Sequence, residues 1–438
     1  MEGIIMTAQL LLGLSILVGV HELGHLLAAK AFGMRVEKYS IGFPPKIWGR
    51  QFGETEYSIG AIPLGGFVKI TGMIDESLDV KNLQAEPEPW EFRAKPAWQR
   101  LIVMMGGIIV NVVTGIFIFI MMTYTQGESY LSKEELNKHG IVAYELGEKI
   151  GLKTGDRIIN INGADYETFG DIVSMDLLLG TDVFYTVERD GQQLKISVPN
   201  DFVDDLSDSK GRRIFIGSIM KFEVGRVNPG SNAEKGGLIE GDRIISVDGQ
   251  PVEFFHEFSD MLFERKGKEI SLIVDRDGQN RTLNPTVDDE GMLGFRRVAL
   301  LEESRRDFSF AESIPRGTEK AFGFLWLNVK AFGKIFSGDI SPQKSISGPI
   351  GIAGMFGGTW DWLNFWNLVG LLSMVLAFMN FLPIPALDGG HVMFLTWEMI
   401  TGRKPSDKFL ENAQKVGMVI ILGIMVFAIF NDVSKLFP

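Results

Sequence analysis

The chain contains no cysteine in its 438 residues. That excludes disulfides and any thiolate-bound zinc, so a metal centre here has to be built from His, Asp or Glu. The absence is also compatible with an oxidising extracytoplasmic space. A second scarcity is positional: from Ile4 to Val20 no residue is charged, and Thr7, Gln9 and Ser15 are the only polar interruptions. Long Lys/Arg runs are missing as well, and with a net charge of −12 this disfavours a nucleic-acid binder. What is present is mixed. With 45% hydrophobic and 22% charged residues the composition suits a protein that is part membrane and part soluble. Its length predicts about two to four domains.

The uncharged run leads straight into His21-Glu22-Leu23-Gly24-His25 and stays apolar through Ala29. A stretch of that length can cross a bilayer, and ionisable residues inside it are costly enough to point to function. Four residues apart on a helix, His21 and His25 leave the same face. Two such imidazoles are two-thirds of a three-ligand catalytic zinc site. Glu22 sits one residue round, where it can reach an attacking water without being a ligand. A soluble amphipathic helix with incidental histidines is the alternative, but such a helix would not be apolar on every face for four turns. No basic leader or small-residue cleavage site precedes the motif, so the segment reads as a retained span.

Residues 33–100 are polar and carry Arg35, Lys38, Lys46, Arg50, Lys69, Arg93, Lys95 and Arg100. The positive-inside rule makes this stretch cytoplasmic and the N-terminus external. Within it, residues 54–60 and 66–70 flank Ala61-Ile62-Pro63-Leu64-Gly65, a pattern that predicts a β-hairpin with a Pro/Gly-rich turn. Its apolar tip suits a re-entrant hairpin beside the first span; a small surface hairpin is the alternative. Residues 101–124 form a second span with Gly106, Gly107, Asn111 and Gly115. Asn111 either faces the site or bonds helix to helix. A third span over residues 365–382 ends in Asn380-Phe381-Leu382-Pro383-Ile384-Pro385-Ala386-Leu387-Asp388-Gly389-Gly390-His391. Two prolines and a glycine pair break it at membrane depth. Asp388 is the candidate third ligand, and His391 could replace it or support it from behind. Arg403, Lys404 and Lys408 mark another cytoplasmic loop. Residues 416–430 are the core of a fourth span, which leaves the C-terminus outside and puts His21 and Asp388 at matching depth.

Residues 126–307 are soluble in character and hold an internal repeat. Gly151-Leu152-Lys153-Thr154-Gly155-Asp156-Arg157-Ile158-Ile159 recurs as Gly237-Leu238-Ile239-Glu240-Gly241-Asp242-Arg243-Ile244-Ile245, each followed by a strand and an Asn-Gly or Asp-Gly turn. A second match, Val187-Glu188-Arg189-Asp190-Gly191 with Val274-Asp275-Arg276-Asp277-Gly278, follows in each copy. The pair resembles tandem PDZ domains, which bind extended peptides on a sheet edge. Phe215-Ile216-Gly217 and Leu293-Gly294-Phe295 are the candidate edges; the other reading is that the copies are covers or spacers that bind nothing. Residues 308–336 mix apolar residues with Lys320, Lys330 and Lys334, which suggests helices on the membrane surface. Ser347-Gly348-Pro349-Ile350-Gly351-Ile352 leads back to the bilayer. His139 and His256 read as surface residues.

On His21-Glu22-Leu23-Gly24-His25, Gly66-Phe67-Val68-Lys69, the repeat, Ser347 to Ile352, and Asn380 to Pro385 leading to Leu387-Asp388-Gly389-Gly390, the chain resembles the site-2 protease family of intramembrane zinc metalloproteases, in its bacterial RseP-type branch. The resemblance implies a polytopic α-helical membrane protein, with about four transmembrane helices, a re-entrant β-hairpin and two extracytoplasmic PDZ-like β-rich domains. The expected boundaries are 1–125 for the N-terminal membrane domain, 126–215 and 216–300 for the PDZ-like copies, 301–362 for surface helices and 363–438 for the C-terminal membrane domain. It also implies one Zn²⁺ per chain held by His21, His25 and Asp388, with Glu22 as general base. Asn380 resembles the family's substrate-binding Asn, and Gly66, Phe67 and Val68 would offer a strand edge to the substrate. The implied reaction is cleavage of a transmembrane segment of a membrane protein. Trimming outside the membrane usually precedes it, and a cytoplasmic fragment such as a sigma-factor regulator is released; some members clear signal-peptide remnants. The implied location is the bacterial inner membrane, with both termini outside and the lipid bilayer and membrane-protein substrates as partners. A catalytically idle PDZ scaffold is the rival reading, and a metal transporter or sensor a weaker one.

Overall fold

The structure is a computed structural model, and it describes residues 2–73, 86–208, 215–345 and 347–436. The chain forms two units, Met1–Gly127 with Asp307–Pro438, and Glu128–Arg306.

The first unit is helical. Glu2–Ala31, Ala97–Gln126, Trp362–Phe381 and Lys408–Ser434 are long and apolar enough to cross a membrane. Even the shortest, with 20 residues, is about 30 Å long, the thickness of a bilayer's hydrocarbon core. The three polar interruptions in the first span hydrogen-bond backbone. Thr7 and Ser15 donate to the Gly3 and Leu11 carbonyls, and the Gln9 amide donates to the Gly357 carbonyl. With no water at that depth, such internal bonds are what make polar groups tolerable.

The first two spans cross where glycine meets glycine. A Cβ on Gly24 would lie 2.2 Å from the Gly106 carbonyl oxygen, and one on Gly106 would lie 2.6 Å from that of Gly24. Only small residues permit backbones this close, and close approach drives packing between helices in lipid. The third span then packs on both. Phe365 and Val369 are buried with Leu17 of the first span and Ile118 of the second, and the Ser373 hydroxyl donates to the Asn111 carbonyl at 2.7 Å. Beyond a bend, the helix Asp388–Thr401 is tied to the second span by a buried ion pair between Arg100 and Glu398. The fourth span is anchored at its far end. There buried Asp432 accepts from the backbone N–H groups of Gly348, Ile350 and Gly351 at 2.8, 2.9 and 3.0 Å, at the start of the helix Pro349–Met355. Residues Phe310–Ser337 form one helix, where several were expected. It packs along the second and third spans through Ala321, which is buried with Phe119 and Met374.

Two long strands follow the first span, β1 (Val36–Phe52) and β2 (Thr55–Ile70). The turn between them is at Gly53-Glu54. The expectation of a turn at residues 61–65 is corrected: Ala61 to Gly65 lie inside β2. Both elements fold back, so residues 38–41 pair on two sides, Tyr39 with Val68 and with Tyr57. Pro63 and Gly65 mark the irregularity that lets one strand serve twice.

The second unit holds two copies of one topology. The first has β4 (Ile141–Ala143), β5 (Arg157–Ile161), β6 (Phe184–Arg189), β7 (Gln192–Ser197) and β8 (Ile216–Ser218), after a short β3 (Glu128–Tyr130). The second has β9 (Lys221–Val227), β10 (Arg243–Val247), β11 (Gln250–Pro251), β12 (Leu272–Arg276), β13 (Gln279–Leu283) and β14 (Phe295–Leu300), before β15 (Ser304–Arg306). Pairing is equivalent: β4 with β8 and β5-β6-β7 in one, β9 with β14 and β10-β12-β13 in the other. Since β8 pairs with β4, the first copy runs past the expected limit of 215. Strands β3 and β15 pair, so the chain enters and leaves this unit side by side. His256 is not an open surface residue; it is half-buried beside Phe254, with Nδ1 closed off from solvent.

Each copy is held by the same buried ion pair. Arg189 grips Asp156 with two bonds of 2.7 Å and also donates to the Gly151 carbonyl; Arg276 does the same with Asp242 and Gly237. Both carboxylates are almost wholly buried. Removing one partner of a buried pair leaves the other uncompensated. Asp242→Ala is therefore expected to destabilise the second copy by about 3 kcal/mol. In hydrogen exchange on the full chain, the amides of β10 and β12 would exchange about a hundredfold faster. Unchanged protection would show the pair to be dispensable.

Candidate metal centre

The site is a cavity of about 690 Å³ inside the first unit, lined by residues of all four spans, the β1–β2 sheet and the Asp388 helix. His21 and His25 enter it from the first span, one helical turn apart as their spacing requires. Asp388 arrives from the far side of the sequence. Ala386, just before it, holds φ at +80°, a left-handed conformation that Ala adopts only when its surroundings impose it. That bend turns the chain sharply and leaves Asp388 as the first residue of a new helix. A carboxylate there also sits favourably against the helix dipole.

Among the described residues, His21, His25 and Asp388 form the one group whose donor atoms could hold a metal ion, all within 4.8 Å of one another. The two Nε2 atoms are 3.2 Å apart, and Asp388 Oδ2 lies 3.1 and 3.3 Å from them. Tetrahedral zinc with bonds of about 2.0–2.1 Å separates its donors by about 3.3 Å. Oδ2 is sealed from solvent and makes no hydrogen bond, although it is within ion-pair distance of both rings. His25 Nδ1 lies 2.8 Å from the Val103 carbonyl, an acceptor only, so Nδ1 carries the proton and Nε2 presents a lone pair. Lone pairs and a carboxylate facing one another in an apolar interior repel unless a cation sits between them. The donor set fits zinc.

Asn111, which the sequence left open between two roles, is fully buried and lies against His21, its amide nitrogen 3.1 Å from Nδ1. Its oxygen has no partner. Nitrogen and oxygen of a carboxamide are assigned by their bonding. Turned over, the oxygen accepts from His21 Nδ1–H and frees Nε2 for a metal, as the Val103 carbonyl does for His25. Gly107 completes this wall: a Cβ there would come within 2.5 Å of both imidazoles.

The remaining candidates fall in the same cavity. Glu22 lines it, as do Gly66, Phe67 and Val68 of β2. Gly66 is pressed against the first span so closely that a Cβ would lie 3.1 Å from Glu22 Cγ. The Asn380 amide nitrogen lies 3.4 Å from His21 Nε2. His391 also lines the cavity, but it is outside the three-donor group. Sequence reasoning missed Gln414, which reaches the cavity from the fourth span. It lies between the basic loop and residues 416–430, the stretch read as the span.

Apolar helices around a three-donor, zinc-fitting centre with a carboxylate beside it define a class, the membrane-embedded metal-dependent hydrolases. The sequence pattern of Peptidase family M50 matches residues 9–424. The chain belongs to that family. It is 30% identical over 456 residues to the regulator of sigma-E protease RseP of Escherichia coli, with 98% of each chain covered. A relative from Neisseria meningitidis, 29% identical over 451 residues (96% of this chain, 97% of the relative), carries zinc metalloprotease in its name. So does one from Vibrio cholerae, 29% identical over 453 residues (97% and 98%).

Partners that orient a metal-binding imidazole typically change metal affinity about 10–100-fold when lost. Asn111→Leu, which keeps the volume and removes the amide, is expected to weaken zinc binding by about that factor. Competition against a chelator of known affinity measures it. Wild-type affinity in the variant would show that Asn111 is helix packing only.

Proposed function

We infer that the chain is an intramembrane zinc metalloprotease that cleaves membrane proteins within the bilayer of the bacterial inner membrane. The observation that carries this reading is the zinc-fitting triplet with Glu22 beside it, enclosed by membrane-length apolar helices. His21, His25 and Asp388 would hold the ion. When bound, zinc lowers the pKa of water to about 7 and polarises a carbonyl. Glu22 takes the proton of the water as it attacks the scissile carbonyl, then delivers it to the departing amine. It suits that role as a carboxylate that is not a ligand.

The substrate has to be unwound, because a helix spends its carbonyls on its own hydrogen bonds. Gly66, Phe67 and Val68 offer a strand edge to the extended segment, and Asn380 binds its backbone beside the reacting carbonyl. In this reading the β1–β2 sheet is re-entrant, and its apolar residues enter the membrane beside the first span. The two copies in the second unit act as PDZ-like domains, with β8 and β14 in the equivalent edge positions. Substrates are membrane proteins such as anti-sigma factors and signal-peptide remnants. The name of the E. coli relative supports the first of these.

The test pairs zinc content with cleavage of a single-span substrate in liposomes. Wild type is expected to hold about one zinc and cut. Glu22→Gln keeps the zinc and loses cleavage by at least about a hundredfold, the scale of a general base. Asp388→Asn loses both. A wild type without zinc, or a Glu22→Gln that cuts normally, would move the idle scaffold to the front.

Orientation has its own test, made simple by the absence of cysteine. The proposed topology places the second unit and both termini outside and the Arg403 loop inside. Lys268→Cys in intact cells is expected to react with a membrane-impermeant maleimide, and Arg403→Cys only after permeabilisation. The reverse pattern would invert the topology.

A further inference from the structure

Gln414 lies in the first turns of the fourth-span helix, just before its apolar run, and its side chain is 4% exposed. It lines the cavity that holds the metal triplet. Among the described residues it has no hydrogen-bond partner. Its oxygen and nitrogen are nevertheless not among the unpartnered polar atoms sealed from solvent, so they open onto the cavity. This placement is enforced nearby. Gly417, one turn on and on the same helix face, lies so close to the bend before Asp388 that a Cβ would overlap the Pro385 carbonyl oxygen at 1.4 Å. The fourth span is thereby pressed against the metal-bearing turn, with Gln414 beside it.

A buried carboxamide without partners is unfavourable unless something supplies them. What it can bond is defined by its groups: two N–H donors and one carbonyl acceptor in a plane, the pattern of a peptide unit. The substrate of a protease, once unwound, presents that same pattern. A neutral amide also matches it at lower desolvation cost than a charge would.

We propose that Gln414 binds the backbone of the extended substrate, donating from Nε2 to a substrate carbonyl and accepting a substrate N–H at Oε1. The fourth span, which carries no metal donor, thus contributes to the reaction by holding one peptide unit of the substrate. This inference rests on the protease reading above and adds to it a substrate-binding residue. Because the contact is made by ground state and transition state alike, its loss should appear in KM and not in kcat.

The experiment uses the full-length protein in liposomes, with a single-span peptide substrate and a series in which one backbone N–H at a time is replaced by an ester oxygen. Gln414→Leu is expected to raise KM about tenfold, the scale of one net hydrogen bond, with kcat within about a factor of three and zinc content unchanged. At one position the ester should cost wild type about tenfold and cost the variant less than about twofold, since the bond is already gone. Gln414→Met, unbranched and of similar length, carries the same test if the leucine variant fails to fold. An unchanged KM, a loss confined to kcat, or ester costs equal in wild type and variant at every position would overturn the proposal. Cleavage by wild type but not by Glu22→Gln, measured alongside, keeps the protease reading standing in that event. A wild type that cuts nothing overturns both.

Discussion

The close approach of the first two spans at Gly24 and Gly106 is the contact on which the rest of the site depends. It has no side chain in it. With backbone against backbone, the second span sits near enough to offer the Val103 carbonyl to His25 and the Asn111 carboxamide to His21. Gly107, next along, leaves room for both rings. A larger residue at any of these three positions would separate the helices, and the imidazoles would lose the groups that set their tautomers. The third span is positioned by the same pair of helices, so Asp388 also inherits its place from that crossing.

Beside the metal triplet and Glu22, the spans supply neutral amides. Asn111, Asn380 and Gln414 come from three different spans and surround one cavity. An ion pair would suit such an interior poorly, because each charge carries a desolvation cost that only excellent geometry repays. Carboxamides cost less and can donate and accept together, which fits both an imidazole and a peptide backbone. Two lysines also line the cavity, but both stand on the β1–β2 sheet and pair there with carboxylates of the same sheet, Lys38 with Glu56 and Lys69 with Glu37. In the second unit the logic differs. There a bidentate Arg–Asp pair is built into each copy, fixing a turn to a strand in the same way twice.

Much of the site could be read in the sequence because its signals are local. His21, Glu22 and His25 lie within five residues of one another, and uncharged runs of membrane length announce themselves without a partner. The repeat in the second unit was visible for the same reason. Asp388 was legible because two prolines and two glycines cluster beside it where a span should be continuous. Gln414 was not, since an amide among the polar residues that open a span has no sequence context that says what it faces. Asn111 was ambiguous on the same grounds. The turn in the β1–β2 sheet was misplaced because Pro63 and Gly65 are turn residues by preference, while here they serve a bulge within one strand. Strand β8 fell outside its expected boundary because it pairs with β4, far behind it in the chain.

The sequence alone determined the chemistry available: a metal centre without sulfur, two imidazoles on one helix face, a base next to them, and enough apolar length to place them in a membrane. Those properties follow from residue type and helical period, which are local. The tertiary structure decided which distant residues complete the site. Whether Asn111 meets an imidazole, Asp388 closes the triplet or Gln414 opens onto the cavity depends on how closely backbones separated by tens to hundreds of residues approach, and that distance is set by packing.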